Sequence, residues 1–347
     1  MIHTREKIGL RPYNTMRLNS RCANWVEFDA PEDAPAASAL AESISGENGI
    51  AIIGGGSNII FGEAYPGVLI HPAIMGWDAV ALGGGEMEVV VGAGVVLDDL
   101  VANICAAGLW GLENLSGIPG TVGGAAVQCA GAYGVEFGEC VKYVKVWDRV
   151  ENKFLTLSHD ELDYGYRYSV FKHPENSGRY IVLQVAITVS KNSEPKLEYG
   201  PLKKLAGKSG LTPVDVRNEV LEIRDSKLPR TDETGSAGSY FKNPVVSSTE
   251  WDAFCERVKG MGIDIESVPH FILNGGSVKI PAAWLIDKCG WKGRTLGNAG
   301  VWHKQPLILI NATGNATSDD ILALEKAIVA DVQQRFGIGL KPEVVRL

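Results

Sequence analysis

Two glycine-rich stretches carry the first chemical signal in the chain. Gly54-Gly55-Gly56-Ser57-Asn58 follows the apolar run Gly49-Ile50-Ala51-Ile52-Ile53. Consecutive glycines leave backbone N–H groups unshielded, and with the short side chains of Ser57 and Asn58 they suit a pyrophosphate nest. The same letters also read as a plain turn between that strand and Ile59-Ile60-Phe61. Gly117-Ile118-Pro119-Gly120-Thr121-Val122-Gly123-Gly124 is too long and too poor in side chains for a simple turn. It offers backbone for a flat ligand to lie on, or else a helix start packed closely through small residues. Neither stretch is a Rossmann fingerprint: Gly54-x-Gly56-x-x-Ile59 lacks the third glycine and runs into strand-like residues where a helix is required. Two such stretches point to a dinucleotide held in a cradle of another kind.

A second set of residues has charge or a transferable proton. Arg167 sits in Tyr164-Gly165-Tyr166-Arg167-Tyr168-Ser169, an aromatic setting in which an unpaired guanidinium would be costly. Glu343 lies in the largely apolar tail Glu343-Val344-Val345-Arg346-Leu347. Ser239 reads on composition as a turn serine. Gly235-Ser236-Ala237-Gly238-Ser239 is not a nucleophile elbow, because Ala237 takes the nucleophile position, and no histidine is near. Arg224 and Lys227 are three apart near the end of a helix begun at Pro213. They are donors for a diphosphate, or partners of the helix dipole worth about 0.3–1 kcal/mol.

The elements that must position these groups follow from patterning. Gly49 to Ile53, Ile59 to Phe61, Glu86 to Val91, Val141 to Trp147 and Tyr180 to Val189 read as strands, and Leu97 to Ala107 as a helix ended by Gly108. Asn192 to Leu202 is a loop excursion. Thr212 caps a helix with Pro213 at its first position and Val216, Val220 and Ile223 as its buried stripe, until Leu228-Pro229 stops it. Asp232 to Gly238 reads as a polar hinge at a domain boundary. Beyond it come helices around Glu250 to Lys259 and Ala282 to Lys288, a strand Pro306 to Ile310, and a long helix Asp319 to Phe336. Thr317 or Ser318 caps that last helix, Ile321, Leu324, Ile328 and Val332 line it, and Gly337 ends it.

Composition narrows the classes. The 347 residues are 45% hydrophobic and 21% charged, a globular composition sufficient for two or three domains. No apolar run reaches a membrane span, and Met1-Ile2-His3-Thr4-Arg5-Glu6-Lys7 has no signal-peptide core, so a cytoplasmic protein without membrane insertion is expected. A net charge of −8 argues against nucleic acid as partner. Six cysteines without a C-x-x-C pair read as reduced, packed thiols, and six scattered histidines leave no metal site expected. No obligate protein partner is evident.

Taken in order, Gly54-Gly55-Gly56-Ser57-Asn58, Gly117 to Gly124, Tyr166-Arg167-Tyr168-Ser169-Val170-Phe171, Gly238-Ser239-Tyr240-Phe241-Lys242-Asn243-Pro244 and Pro342-Glu343-Val344 resemble the UDP-N-acetylenolpyruvoylglucosamine reductase family, in the class that carries a tyrosine loop. The resemblance runs from about residue 20 to Leu347. It implies an α+β chain: a two-part FAD-binding fold of the vanillyl-alcohol-oxidase type (1–74 and 75–225), an α+β substrate-binding domain (226–336), and a tail (337–347) that returns to the active site. It implies non-covalent FAD, with Ile53, Gly54, Gly55, Gly56, Ser57, Asn58, Gly117, Ile118, Pro119, Gly120, Thr121, Gly123, Gly124 and Arg224 as its contacts. NADPH is the implied reductant and a sugar nucleotide the implied substrate, met by Tyr199 of the excursion and by Lys227, Asn243 and Gln305. Reduction of an enolpyruvyl ether puts hydride on C3 and leaves negative charge at C2 and its carboxylate, so the site needs a cation and a proton donor. By the resemblance Arg167 and Glu343 stabilise that charge and Ser239 protonates C2. Glu343 facing a carboxylate would favour its protonated, hydrogen-bond-donating form. Two other readings stand beside this one: another FAD oxidoreductase of the same fold acting on a small alcohol or hydroxy acid, and a flavin or nucleotide-binding module without catalysis.

Overall fold

The computed structural model describes residues 1–347, which fold as two units. The first comprises Met1–Ile8, Arg21–Gly56 and Ala64–Asp225. It holds a four-stranded sheet in the order Ile2–Gly9, Arg21–Phe28, Ala64–Pro72, Ile50–Ile52. Ala64–Pro72 runs parallel to both of its neighbours. Parallel strands need a crossover, and Ala34–Ser45 supplies it as a helix whose Ala34, Ala37 and Ala41 pack on Val26, Phe28, Val68 and Ile70. A five-stranded antiparallel sheet follows, ordered Lys153–Ser158, Val141–Asp148, Tyr180–Ser190, Glu86–Gly92, Trp77–Gly83. Its inner face, with Val89, Val91, Val144, Val146, Val185 and Ile187, shares a core with the helices Leu97–Ala106 and Val122–Gln128. The helix Pro213–Lys227 starts on a reciprocal cap: the Asp215 amide donates to Thr212 Oγ1 at 3.2 Å, and the Thr212 hydroxyl and amide donate to the Asp215 carboxylate.

The second unit comprises Gly9–Ser20, Ser57–Glu63 and Ser226–Leu347. Its sheet runs Gly235–Ser239, Ile308–Asn311, Ala299–Val301, Thr295–Leu296, antiparallel throughout. The helices Ser248–Gly260, Ala282–Lys288 and Ser318–Phe336 complete one core through Phe254, Val258, Leu285, Ile286, Ile321, Leu324, Ile328, Val332 and Phe336. Thr317, not Ser318, caps the last helix in a box with Asp320, and Gly337 ends it at φ +73°. No helix is long and apolar enough to cross a membrane.

Three expectations change. Residues 9–20 and 57–63 do not fold with the rest of 1–74: Met16, Leu18 and Ile60 are buried in the core of the second unit, and a short contiguous sequence carries no sign of that distant partner. The strand, turn and strand of residues 49–61 is no hairpin, because Ile50–Ile52 pairs with Ala64–Pro72 whereas Ile59–Ile60 pairs in parallel with Val345–Arg346. Asp232 to Gly238 is not at the boundary expected: the units divide between Asp225 and Ser226, and from Gly235 onward the segment is a strand of the second unit, with Gly235, Ser236 and Ala237 buried and the Ser236 amide donating to Thr15 O at 2.9 Å.

Candidate active site

Within the first unit the two glycine stretches meet backbone to backbone. A Cβ on Gly55 would stand 2.8 Å from Gly120 Cα, and one on Gly54 2.5 Å from Thr121 Oγ1, so no other residue type permits the approach. The backbone N–H groups of Gly54, Gly55, Gly56, Gly120 and Thr121 find no acceptor within the chain. Adjacent unpaired amide donors are the chemistry a diphosphate requires, and they fit the cofactor implied by the sequence. Part of the second stretch does something else. The Gly123 amide donates to Ala93 O at 2.9 Å, and a Cβ there would collide with Ala93 Cβ at 2.9 Å, so Gly123 serves close helix packing. The Gly124 amide is taken by the Thr121 hydroxyl at 3.3 Å, Ile118 N–H by Leu115 O at 3.3 Å, and Gly117 N–H by Asp98 at 2.6 Å.

Arg167 occupies a backbone position normally left to glycine. It lies at φ +55° in a turn closed by the Tyr168 amide on Gly165 O at 2.9 Å. An arginine held there is a strained feature that the surroundings must enforce. They do so through the guanidinium, which donates to Gly131 O at 2.7 Å and Cys129 O at 3.3 Å, pairs with Glu136 at 3.5 Å and stacks on Tyr166. Ser169 Oγ and Lys172 Nζ tie the same segment to Val127 O and Gln128 at the end of the helix that begins with the second glycine stretch. Glycine is required at 131 as well, since a Cβ would stand 2.8 Å from the guanidinium and 2.9 Å from Val135 O.

Arg224 lies across Gly117, where a Cβ would stand 2.8 Å from Nε. Burial pulls its pKa down, against the opposing pull of Tyr133 and Asp98. Tyr133 meets Tyr199 edge to face at 5.6 Å, which brings the excursion over the same corner. Asn114 is fully buried and donates to both Tyr133 O and Lys196 O, at 2.8 and 2.9 Å. Asp98 accepts from Gly117 N and, bidentately, from Arg217; burial pushes its pKa up, but these partners outweigh it and the net shift is downward.

In the second unit Ser239 and Glu343 are drawn together. Ser236 pairs with Ile310 and Ser239 with Ile308, so Ala237 and Gly238 together oppose one residue: a bulge, with Gly238 at φ +72°. Such bulges re-aim a side chain, and here Ser239 turns out to solvent while Tyr240 turns fully inward. Glu343 N–H donates to Tyr240 O at 2.8 Å, Asn58 Nδ2 donates to Glu343 O at 3.2 Å, and Val345 N–H donates to Asn58 O at 2.9 Å. The side chain of Asn58, expected at the cofactor, is thus engaged in holding the tail, and Ser57 O accepts from Thr15 Oγ1 at 3.2 Å. Gln305 sits in the turn before Ile308–Asn311, its Oε1 near Leu307 N at 3.5 Å, close in the fold to the strand partner of Ser239. Asn243 Oδ1 accepts from Ala282 N at 2.9 Å and so caps a helix, leaving its Nδ2 as the group for a substrate contact. Lys227 is exposed at its helix end, its carbonyl accepting from Trp302 Nε1 at 3.0 Å.

Sequence reasoning missed the seat of Arg167 (Cys129, Gly131, Glu136), the Asp98 and Arg217 pair, Tyr133 and Asn114. None stands in a periodic pattern or a motif; each is defined by what lies opposite it in space.

The family profile described as FAD binding domain matches residues 29–157, and that described as UDP-N-acetylenolpyruvoylglucosamine reductase, C-terminal domain, matches residues 229–347. A UDP-N-acetylenolpyruvoylglucosamine reductase of Chromobacterium violaceum is 39% identical over 343 residues, 98% of this chain and 97% of that one. One of Bacteroides fragilis is 38% identical over 341 residues, 98% of each. The crystal structure of UDP-N-acetylenolpyruvylglucosamine reductase from Thermus caldophilus shares the fold, with a TM-score of 0.64 at 24% identity over 100% of this chain and 99% of that one.

Proposed function

Since the chain belongs to the UDP-N-acetylenolpyruvoylglucosamine reductase family, we propose that it reduces UDP-N-acetylglucosamine enolpyruvate to UDP-N-acetylmuramate, a step in peptidoglycan precursor synthesis, with NADPH as the reductant. It is an FAD enzyme with the two-part FAD-binding fold of the vanillyl-alcohol-oxidase type followed by an α+β domain. The first unit is read as the two flavin-binding parts, divided near residue 74, and the second as the substrate domain. FAD, when bound, would supply two-electron hydride chemistry between NADPH and the substrate. Gly54, Gly55, Gly56, Gly120 and Thr121 would hold its diphosphate through unpaired amides, with Arg224 beside Gly117 as a further donor.

The protein's own groups then manage charge and proton. As C3 receives hydride, negative charge grows at C2 and the carboxylate. The Arg167 guanidinium, held by two carbonyls and Glu136, meets that charge without reorganising. Ser239 Oγ gives its proton to C2 and recovers one from water. Glu343, as the carboxylic acid, donates a hydrogen bond to the substrate carboxylate. Tyr199 and Lys227 serve the nucleotide diphosphate, and Asn243 Nδ2 and Gln305 are weaker contacts. The observation that carries the reading is the bulge that turns Ser239 out beside the backbone to which Glu343 is bonded. Six free cysteines and a sugar-nucleotide substrate support a cytoplasmic setting.

The test is NADPH oxidation by the yellow, purified protein with and without the enolpyruvyl sugar nucleotide, run also in deuterated water. Substrate-dependent oxidation with solvent deuterium at C2 is expected. Oxidation indifferent to the substrate would overturn the assignment.

A further inference from the structure

The helix Ser318–Phe336 turns one acid toward its buried face. Glu325 is 7% exposed and lies among Ile321, Leu324 and Ile328. Its Oε2 accepts from the Tyr240 hydroxyl at 2.7 Å, and Arg346 Nη2 donates to its two oxygens at 2.5 and 2.6 Å. Tyr240 and Glu325 are buried while Arg346 is half exposed, and a largely buried polar cluster is weak evidence for stability, because apolar side chains of similar volume often replace one without loss. Its position in the chain is more telling. Tyr240 directly follows Ser239, and Arg346 lies three residues beyond Glu343.

Side chains alternate along extended backbone, so the inward ring of Tyr240 and the outward hydroxyl of Ser239 are opposite sides of one rotation. At Gly238 no side chain packs to hold the bulge, since a Cβ there would meet nothing within 4 Å, whereas the backbone beyond it is held by the Tyr240 amide on Leu307 O at 2.9 Å. The tail is held at Glu343 by Tyr240 O and at Val345 by Asn58 O. Glu325 bonds both segments at once.

We propose that Glu325 is a positioning residue of the reductase: by bonding Tyr240 and Arg346 at once, it fixes the rotation that aims Ser239 and the register that presents Glu343. This rests on the reading of Ser239 and Glu343 as proton donor and carboxylate partner. The FAD-loaded triple variant Tyr240→Phe, Glu325→Leu, Arg346→Met replaces the trio with apolar groups and is expected to keep its melting temperature, its flavin content and its rate of flavin reduction by NADPH. Its reoxidation by the enolpyruvyl substrate falls about 10²-fold, the scale of an ångström of misplacement, with kcat falling more than KM rises. Glu325→Gln, which keeps the shape and one of the two acceptor oxygens, retains more of the rate than Glu325→Leu. Tyr240→Phe, which loses one oxygen atom, guards against a triple variant that fails to fold and falls about five-fold in the same half-reaction.

A stable triple variant that reoxidises as fast as the unaltered protein, or a fully active Tyr240→Phe, overturns the proposal. Ser239→Ala in the same assay separates the two failures. If Ser239→Ala is unimpaired, the underlying reading falls and this one with it; if it is slow while the triple variant is not, only the role of Glu325 falls.

Discussion

Replacing Gly55 by alanine adds one methyl group where two backbones touch. Gly55 is not in the left-handed region, so alanine brings no backbone strain of its own, and its effect comes from the 2.8 Å approach to Gly120 Cα. Ordinary carbon contacts lie near 3.5–4.0 Å, so the segments must part by roughly 1 Å. Gly120 is poorly placed to yield, because its φ is +113° and its carbonyl accepts from Leu97 N at 3.0 Å. A hydrogen bond near 2.9 Å stretched by that much is no longer one. Each amide donor to a charged phosphate oxygen contributes about 1.5–3 kcal/mol, so loss of two weakens FAD by about 3–6 kcal/mol, or on the order of 10²–10⁴-fold. Titration of apoprotein with FAD, followed by quenching of flavin fluorescence, reads this directly. Circular dichroism checks the fold, and Gly260→Ala, whose methyl meets nothing within 4 Å, serves as the unaffected control. FAD affinity within about threefold of the parent in Gly55→Ala would refute the cradle.

Three further outcomes are expected. Ser239→Ala should keep FAD content and reduction by NADPH but slow reoxidation by substrate by about 10²–10⁴-fold, with Ser239→Cys intermediate; stopped-flow traces equal to the parent would give the proton to another group. Arg167→Ala and Glu343→Gln should each show the same split between half-reactions, and a Glu343→Gln variant that reoxidises normally would make the tail structural. Asp148 is fully buried; burial pushes its pKa up, but Arg179 and the Val150 and Glu151 amides outweigh this and leave it below the usual range. The stabilisation from that shift is therefore complete above the unfolded value of about 3.9 and fades as pH falls through the lower folded value. Asp148→Ala should cost about 3–5 kcal/mol at pH 7, and a urea midpoint that stays put in the variant would remove the pair from the account.

Local chemistry was legible and long-range chemistry was not. Thr212 and Thr317 announce helix starts because a cap is a bond to a residue three positions on, and Gly337 announces an end because only a residue tolerant of positive φ fits there. The exposed strand Ile2–Gly9, rich in Thr, Arg, Glu and Lys, escaped notice because it offers little apolar alternation. The partner of Ile59–Ile60 could not be read, since nothing in those residues names Val345–Arg346. At the site, the glycines of the cradle were visible as composition, but only space reveals that Gly55 faces Gly120 while Gly123 is spent on Ala93. Ser239 came from resemblance alone; its bulge depends on a register with Ile308–Asn311 that no local pattern encodes.

The pairing of Ile59–Ile60 with Val345–Arg346 bears on how the protein is born. A ribosome adding about 5–20 residues per second needs on the order of 15–60 s to travel from one strand to the other. Through that interval Ile59, Ile60 and Phe61 have emerged without the strand they join, while the first unit already has every segment it requires once Asp225 is made. The second unit can close only after Arg346 leaves the exit tunnel, so the strand pair that holds Glu343 forms after the first unit has all its segments.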